Sequence, residues 1–305
     1  MIGAGRAATA LASGLGDAGW RIVAVAGRRG AQARRLARRC GAGTTATSVA
    51  GRACLGADVV LLAVPDREIV PLARALAKNL ARPWTGPHRS GPDGAGRARA
   101  RPARIVFLHT SGASGADILL PLKRQGYSTG SLHPLLSFPG STAPSPDMKG
   151  ATFAIDGDRR ARAIAARLAR SVGGRPLRVP PSKRAQYHLA ACLASNYVVT
   201  LAAEAVALLA RAGVPSREAL GVLLPLLRST LANLESAGLP DALTGPVARG
   251  DAVTVAKHAV VLRRSPAGVA ALHGALVRRT VRLAASHGLL APAAVRRIER
   301  ALRPS

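Results

Sequence analysis

The stretch that decides the fold is "GAGRAA", Gly3 to Ala8. It follows the Gly-x-Gly-x-x-Gly/Ala spacing of a dinucleotide-binding turn, with Ala8 in the third place. The first glycine permits a tight turn and the second lets the backbone approach a pyrophosphate. A small third residue lets the following helix pack on its strand. Arg6 stands inside the motif, at the helix end that faces the phosphates. The context agrees: helical spacing runs from Ala7 to Ala18, and a β-like run, "RIVAVAG" (Arg21 to Gly27), follows. Only Met1 and Ile2 precede Gly3, where a strand of about five residues is usual. Either the start codon is assigned too late, or the central strand is stunted.

Outward from this turn, apolar runs alternate with helical patterns, which is the signature of a parallel sheet covered by helices. The runs Ala57 to Pro65, Arg104 to Gly112 and Ala151 to Gly157 read as buried strands. Ala31 to Arg39, Asp66 to Leu80 and Ser114 to Arg124 read as helices. The second strand ends in Arg28 and Arg29, with no acid between Asp17 and Asp58. An NAD site places a carboxylate there for the ribose hydroxyls, whereas a guanidinium pair suits the 2′-phosphate of NADP. Ligands of open α/β sheets sit beyond the C-terminal ends of the strands. "AVPD" (Ala63 to Asp66, with Val64 and Pro65) and "HTSGASG" (His109 to Gly115, with Thr110, Ser111 and Gly112) are therefore expected along the cofactor. Ser114 is followed at once by Gly115, so no Gly-x-Ser-x-Gly nucleophile elbow is present.

After Ser182 the pattern changes to successive helical runs: Lys183 to Ala212, Ser216 to Ala237, Asp251 to Arg264, Pro266 to His287 and Pro292 to Leu302. The expected organisation is a Rossmann-like α/β domain over residues 1–181 and an all-α domain over 182–305. Residues 82–104, rich in Gly, Pro and Arg, read as a flexible basic insertion.

Composition narrows the function classes. The chain carries 44 Lys and Arg against 15 Asp and Glu, a formal charge of +29. Only five of the cations are Lys, the Arg residues are spread along the chain, and aromatics make up 3%. A dedicated nucleic-acid protein needs a concentrated patch and stacking side chains, so no specific nucleic acid is expected. Cys40, Cys54 and Cys192 form no Cys-x-x-Cys pair. Neither a metal site nor a disulfide framework follows, and a reducing, cytoplasmic setting fits. No signal-peptide pattern opens the chain. The apolar run Leu189 to Ala210 is interrupted by Ser195, Asn196, Thr200 and Glu204, which favours a buried central helix over a membrane span.

That helix opens with "YHLAACLASN", Tyr187 to Asn196, in which His188, Cys192 and Asn196 recur every four residues and so share one face. A histidine there is a proton donor or simply a cap on the first turn. His133, in "SLHPLLSF", follows another strand-like run and either reaches the cleft or anchors a loop. In "TGPVARGD", Arg249 is the candidate for a substrate carboxylate and Asp251 suits an N-cap, while His258 shares the Asp251 face.

The ordered set "GAGRAATAL", "DVVLLAVPD", "HTSGASGADIL", "SLHPLLSF", "YHLAACLASNY" and "ALTGPVARGD" resembles bacterial proteins that join a Rossmann-like NADP-binding domain to a helical domain designated DUF2520. Their layout is similar to the 6-phosphogluconate dehydrogenase-like superfamily, which includes pyrroline-5-carboxylate and ketopantoate reductases. The resemblance implies that the first long helix of the second domain runs beside the nicotinamide. Ketopantoate reductases carry a Lys there, with Asn four and eight residues later, and His188, Cys192 and Asn196 take that spacing with His in place of Lys. On this footing His188 supplies the proton, Asn196 holds the substrate oxygen, and Arg249, Asp251 and His258 contact the substrate. The expectation is an NADP-dependent reductase of a small carbonyl or imine, a 2-oxo acid in the first instance, working as a homodimer. Two alternatives stay open: a ketopantoate reductase, and a non-catalytic Rossmann-type scaffold.

Overall fold

The computed structural model describes residues 1–80, 105–138 and 146–302; the basic insertion expected at 82–104 lies outside them. The chain divides into two compact units, Met1–Asn196 and Tyr197–Ser305. The first is α/β and the second all-α. The division falls after Asn196, so the helix that follows Ser182 is grouped with the α/β unit.

In the first unit the elements are α1 (Arg6–Asp17), β1 (Ala24–Ala26), α2 (Gly30–Arg39), β2 (Thr45–Thr47), β3 (Val59–Leu62), α3 (Asp66–Leu80), β4 (Val106–His109), α4 (Leu120–Lys123), β5 (Ser128–Pro134), β6 (Thr152–Gly157), α5 (Arg159–Ser171), β7 (Arg175–Arg178) and α6 (Arg184–Ala194). Strands β3 to β7 lie side by side in chain order, parallel except where β5 meets β6. Strands β1 and β2 form a parallel pair. Ile2 joins the two groups, bridging Ala26 on one side and Leu62 on the other. Hydrogen bonds from Ile2 N to Leu61 O (2.8 Å), Gly3 N to Ala26 O (2.8 Å) and Ala63 N to Ile2 O (2.8 Å) complete the ladder. Ile2 thus occupies the central position of the sheet.

Side-chain alternation assigns the two faces of the sheet. Val25, Leu61, Val106, Leu108, Leu132 and Phe153 pack with α1, α2 and α5. Ala24, Val60, Leu62, Ile105 and Phe107 pack on the opposite face with α3 and α4. Both faces being covered explains why these strands read as unbroken apolar runs.

Three elements of this unit carry little strand or helix signal. The β2 strand, Thr-Ala-Thr, is exposed, and β7, Arg-Pro-Leu-Arg, is an edge. Helix α5 is rich in Arg and buries Ala161, Ala165, Leu168 and Ala169, a stripe of small residues that contrasts weakly with its surroundings; Asp158 caps it by accepting from Ala161 N at 2.9 Å. The helix expected over Ser114 to Arg124 is a 3-10 turn (Ala116–Leu119) followed by α4, with Pro121 at the junction.

The second unit holds α7 (Asn196–Arg211), α8 (Ser216–Ala237), α9 (Gly245–Ala248), α10 (Ala252–Arg263), α11 (Ala267–Ser286) and α12 (Pro292–Ala301). Its core, including Val255, Val277, Val281 and Ile298, comes from α9 to α12 with the Leu290 turn. Two expectations are corrected here. The helical run from Lys183 to Ala212 is two helices, broken at Ser195 (φ −128°, ψ −72°), where adjoining Ser and Asn side chains compete with helical hydrogen bonding. The run Leu189 to Ala210 is not a buried central helix: α7 contributes no buried residue and α8 only Ala219. Pro181–Arg211 is long and apolar enough to cross a membrane by length and composition, and its most apolar part is not buried. Apolar patterning reports that a face avoids water and leaves open what covers it.

Candidate functional site

A cleft of ≈ 530 Å³ opens at the C-terminal ends of β1 and β3 and is lined by Gly3, Gly5, Arg28, Arg29, Val64 and Pro65, among others. Gly3 has φ +113°, and a Cβ there would stand 2.1 Å from the Ala63 carbonyl oxygen. No side chain fits, which is why the turn begins with glycine. A Cβ on Gly5 would meet nothing within 4 Å. Open space thus lies directly before α1, whose first turn holds no acid and no side-chain cap. Uncapped N–H groups at a helix start, facing a void, form the cradle that a pyrophosphate fits. Ala8 is fully buried and lets α1 lie close on the sheet, while Arg6 is exposed at its first position.

Arg28 and Arg29 sit exposed at the rim, Arg29 at the N-cap position of α2. Arg28 Nη1 lies 3.3 Å from Glu68 Oε1. The acid near the ribose end of the cleft thus comes from α3, far from the second strand in sequence. With Arg28 77% and Glu68 33% exposed, the pair is weak. It holds the guanidinium at the cleft without neutralising Arg29.

The loops after β3 and β4 are fastened to each other. Ser111 Oγ donates to Asp66 Oδ2 at 2.7 Å and accepts from Ser114 N at 3.2 Å. Thr110 N and Oγ1 both donate to Leu62 O. His109 is buried, accepts from Ser111 N at Nδ1 (3.2 Å), and so donates from Nε2 to Gly115 O (2.9 Å). Burial pushes its pKa down to about 4. The His109 ring is consumed in shaping the loop and has no nitrogen left for a ligand.

At the far end of this loop two imidazoles converge on Gly112. A Cβ on Gly112 would lie 2.7 Å from His133 Nε2 and 2.7 Å from His188 Cδ2. The ring centroids are 6.2 Å apart. His133 projects from β5 and its Nδ1 meets Tyr187 Oη at 3.0 Å. His188 Nδ1 lies 3.8 Å from Cys192 Sγ, one turn along α6. Burial, with the His188 and Arg184 charges assisting, drives the His133 pKa down to about 4, so the ring is neutral near pH 7.

Arg184 fixes helix α6 in place. It is fully buried, donates from Nε to Val179 O at 3.2 Å and from Nη2 to Ser131 Oγ. Burial lowers its pKa, and the Asp156 carboxylate opposes that shift. Its Nη1 is buried without a hydrogen-bond partner.

The cofactor candidates Gly3, Gly5, Arg28, Arg29, Val64 and Pro65 therefore line one cleft, and His133, His188 and Gly112 form one cluster, all within the first unit. The helix break at Ser195 falls between Cys192 and Asn196. In the second unit, Arg249 is exposed at the end of α9. Asp251 is spent as the N-cap of α10, accepting from Thr254 N at 3.0 Å and Thr254 Oγ1 at 2.6 Å, which lowers its pKa. His258 faces His273 of α11, their ring centroids 5.8 Å apart. Among the described residues no group of three or more metal-ligating side chains forms.

Sequence reasoning passed over Arg184, Tyr187 and Glu68. The signal for Arg184 was available, since it precedes His188 by four residues and extends the same stripe. Glu68 had none, because only the packing of α3 against the cleft brings it to Arg28.

Residues 1–83 match the family model described as NADP oxidoreductase, coenzyme F420-dependent, and residues 151–280 match the domain of unknown function DUF2520. No curated relative matches. Among solved structures, a Bacteroides fragilis protein described as an NADP oxidoreductase is 24% identical, covering 92% of this chain and 96% of its own, with a TM-score of 0.70. A Thermotoga maritima protein is 24% identical over 94% of this chain and 98% of its own, with a TM-score of 0.67. The Aspergillus terreus reductive aminase, solved with NADPH and ethyl levulinate, is 21% identical over 92% of each chain, with a TM-score of 0.57. At these identities the likeness is one of fold. The chain thus places a Rossmann-like domain of the NADP-oxidoreductase type, for which NADP is the cofactor, ahead of a DUF2520 domain.

Proposed function

We propose that this protein is an NADPH-dependent reductase of small carbonyl or imine compounds, with 2-oxo acids as the first substrates to test. The observation that carries the reading is that the first unit combines a cleft shaped for a dinucleotide with an imidazole pair gathered on Gly112. When bound, NADPH supplies the hydride. The chain supplies the rest: the start of α1 takes the pyrophosphate, Arg28 and Arg29 take the 2′-phosphate, and His188 delivers a proton to the substrate heteroatom. Asn196 is the proposed partner of the substrate oxygen. Arg249 is proposed to bind a substrate carboxylate, with Asp251 ordering the turn after it and His258 nearby on α10.

We also propose that a second copy of the chain covers α7 and α8, in a cytoplasmic homodimer. Val199 (71% exposed), Leu226 (64%) and Leu231 (63%) are large apolar side chains on helices that contribute almost nothing to their own unit's core. Glu204, Arg228 and Glu235 interrupt these helices and suit a protein interface better than lipid.

The test is consumption of NADPH in the presence of a panel of 2-oxo acids and cyclic imines. At least one should be reduced by the wild type and not by His188→Ala. A protein that binds NADPH yet reduces none of them contradicts the reading.

A further inference from the structure

We propose that Tyr187 is a positioning residue that locks His133 in the tautomer carrying its proton on Nε2, so that a neutral imidazole presents an N–H donor on its Gly112 side. The proposal rests on the reading of this cluster as the reaction site, and it assigns His133 a task different from that of His188.

The chemistry of the two groups favours one direction for the Tyr187–His133 hydrogen bond. Tyr187 Oη and His133 Nδ1 are 3.0 Å apart, and the rings meet edge to face at 88°. A phenol is a good donor and a poor acceptor, because its lone pair is shared with the ring, whereas an unprotonated imidazole nitrogen is a strong acceptor. The hydroxyl therefore donates to Nδ1, and the ring proton resides on Nε2. Burial raises the Tyr187 pKa, so the phenol keeps the proton it donates. The neutrality of the His133 ring near pH 7 agrees with the same arrangement.

Arg184 makes the lock rigid. Its guanidinium is bound to Ser131 on β5 and to the Val179 carbonyl, so it ties the first turn of α6 to the strand that carries His133. Tyr187 follows three residues later on that helix, with little freedom to leave Nδ1. At the other nitrogen, Nε2 faces Gly112 so closely that even a Cβ there would stand 2.7 Å from it and 2.7 Å from His188 Cδ2. A neutral N–H on the edge of the ring beside His188 orients an oxygen or nitrogen acceptor without giving up its proton. His133 would thus hold the substrate heteroatom while His188 protonates it.

The experiment is a two-bond proton–nitrogen correlation spectrum of protein labelled with nitrogen-15 histidine, with the His133 signals identified by their loss in His133→Gln. The spectrum separates the two neutral tautomers directly, since the unprotonated nitrogen resonates far downfield of the protonated one. In wild type, Nδ1 of His133 should be the downfield nitrogen. In Tyr187→Phe the two nitrogens should move toward each other as the tautomers mix. In the same variant kcat/KM on a confirmed substrate should fall about tenfold, with NADPH affinity unchanged. A wild-type spectrum with the proton on Nδ1 overturns the proposal whatever Tyr187→Phe shows. So does a Tyr187→Phe spectrum identical to wild type. Because the shifts are read without substrate, failure to find a reductase activity leaves this test intact and separate.

Discussion

The two units differ in how completely they bury what their sequences mark as apolar. In the first, alternate strand residues are shared between two helical layers, and Ile2 bridges the two strand groups. In the second, α9 to α12 form a core while α7 and α8 leave their leucines and valines in the open. The lesson is that apolar patterning specifies burial and says nothing of the partner. A sheet covered on both faces and a helix pair left uncovered look alike in sequence. They separate only when each side chain is assigned a neighbour.

The comparison breaks most visibly if α7 and α8 need no partner. Placing Glu at both Val199 and Leu226 should raise the dimer dissociation constant by about three orders of magnitude or more, because each charge would be buried unpaired in the interface. Sedimentation across a concentration series reads this directly. NADPH affinity, which belongs to the first unit, should stay near wild type in that variant. A wild type that is monomeric at every concentration, or that partitions into lipid vesicles instead, would remove the second copy from the account.

Within the first unit, His188→Ala should lower turnover by about 10² to 10⁴-fold with NADPH affinity retained, because acid catalysis acts in the transition state. Full activity in that variant would move the proton donor away from α6. A smaller effect belongs to the rim of the cofactor cleft. Arg28→Ala with Arg29→Ala should weaken NADPH binding by about 1 to 3 kcal/mol while leaving NADH little changed. Equal losses for the two cofactors would mean that neither guanidinium reads the 2′-phosphate.

The last prediction concerns pH. His109 and His133 have pKa values lowered from 6.5 to about 4 in the folded chain. Between those values the unfolded chain binds protons that the folded chain refuses, so stability rises with pH across that window. Melting temperature should therefore fall as pH drops from 6.5 toward 4, with His109→Gln reducing the slope. A melting temperature that is flat over this range would mean that neither ring is held neutral.

The sheet and the glycine turn were legible in the sequence because their signals are local: Gly3, Gly5 and Ala8 stand at fixed spacing, and the strands are continuous apolar runs. The strands β2 and β7 were not legible, since the short, mostly exposed Thr-Ala-Thr in one and Arg-Pro-Leu-Arg in the other carry no strand pattern. The break at Ser195 was hidden because Ser and Asn are tolerated in helices and break them only in context. At the site, the four-residue stripe pointed to His188, but its meeting with His133 and Tyr187 depends on Arg184 pinning α6 to β5, a long-range bond that no spacing encodes. His109 was read as a cofactor contact from its place at a strand end, whereas both of its nitrogens are used within its own loop.

The most direct test of the central claim, that the first unit is an NADP site, is a fluorescence titration of NADPH into the wild-type protein and into Gly3→Val. Wild type should give a saturable change in nicotinamide emission, and the variant none, since even a Cβ at residue 3 would lie 2.1 Å from the Ala63 carbonyl oxygen. A wild-type protein that gives no saturable change at any NADPH concentration would contradict the account.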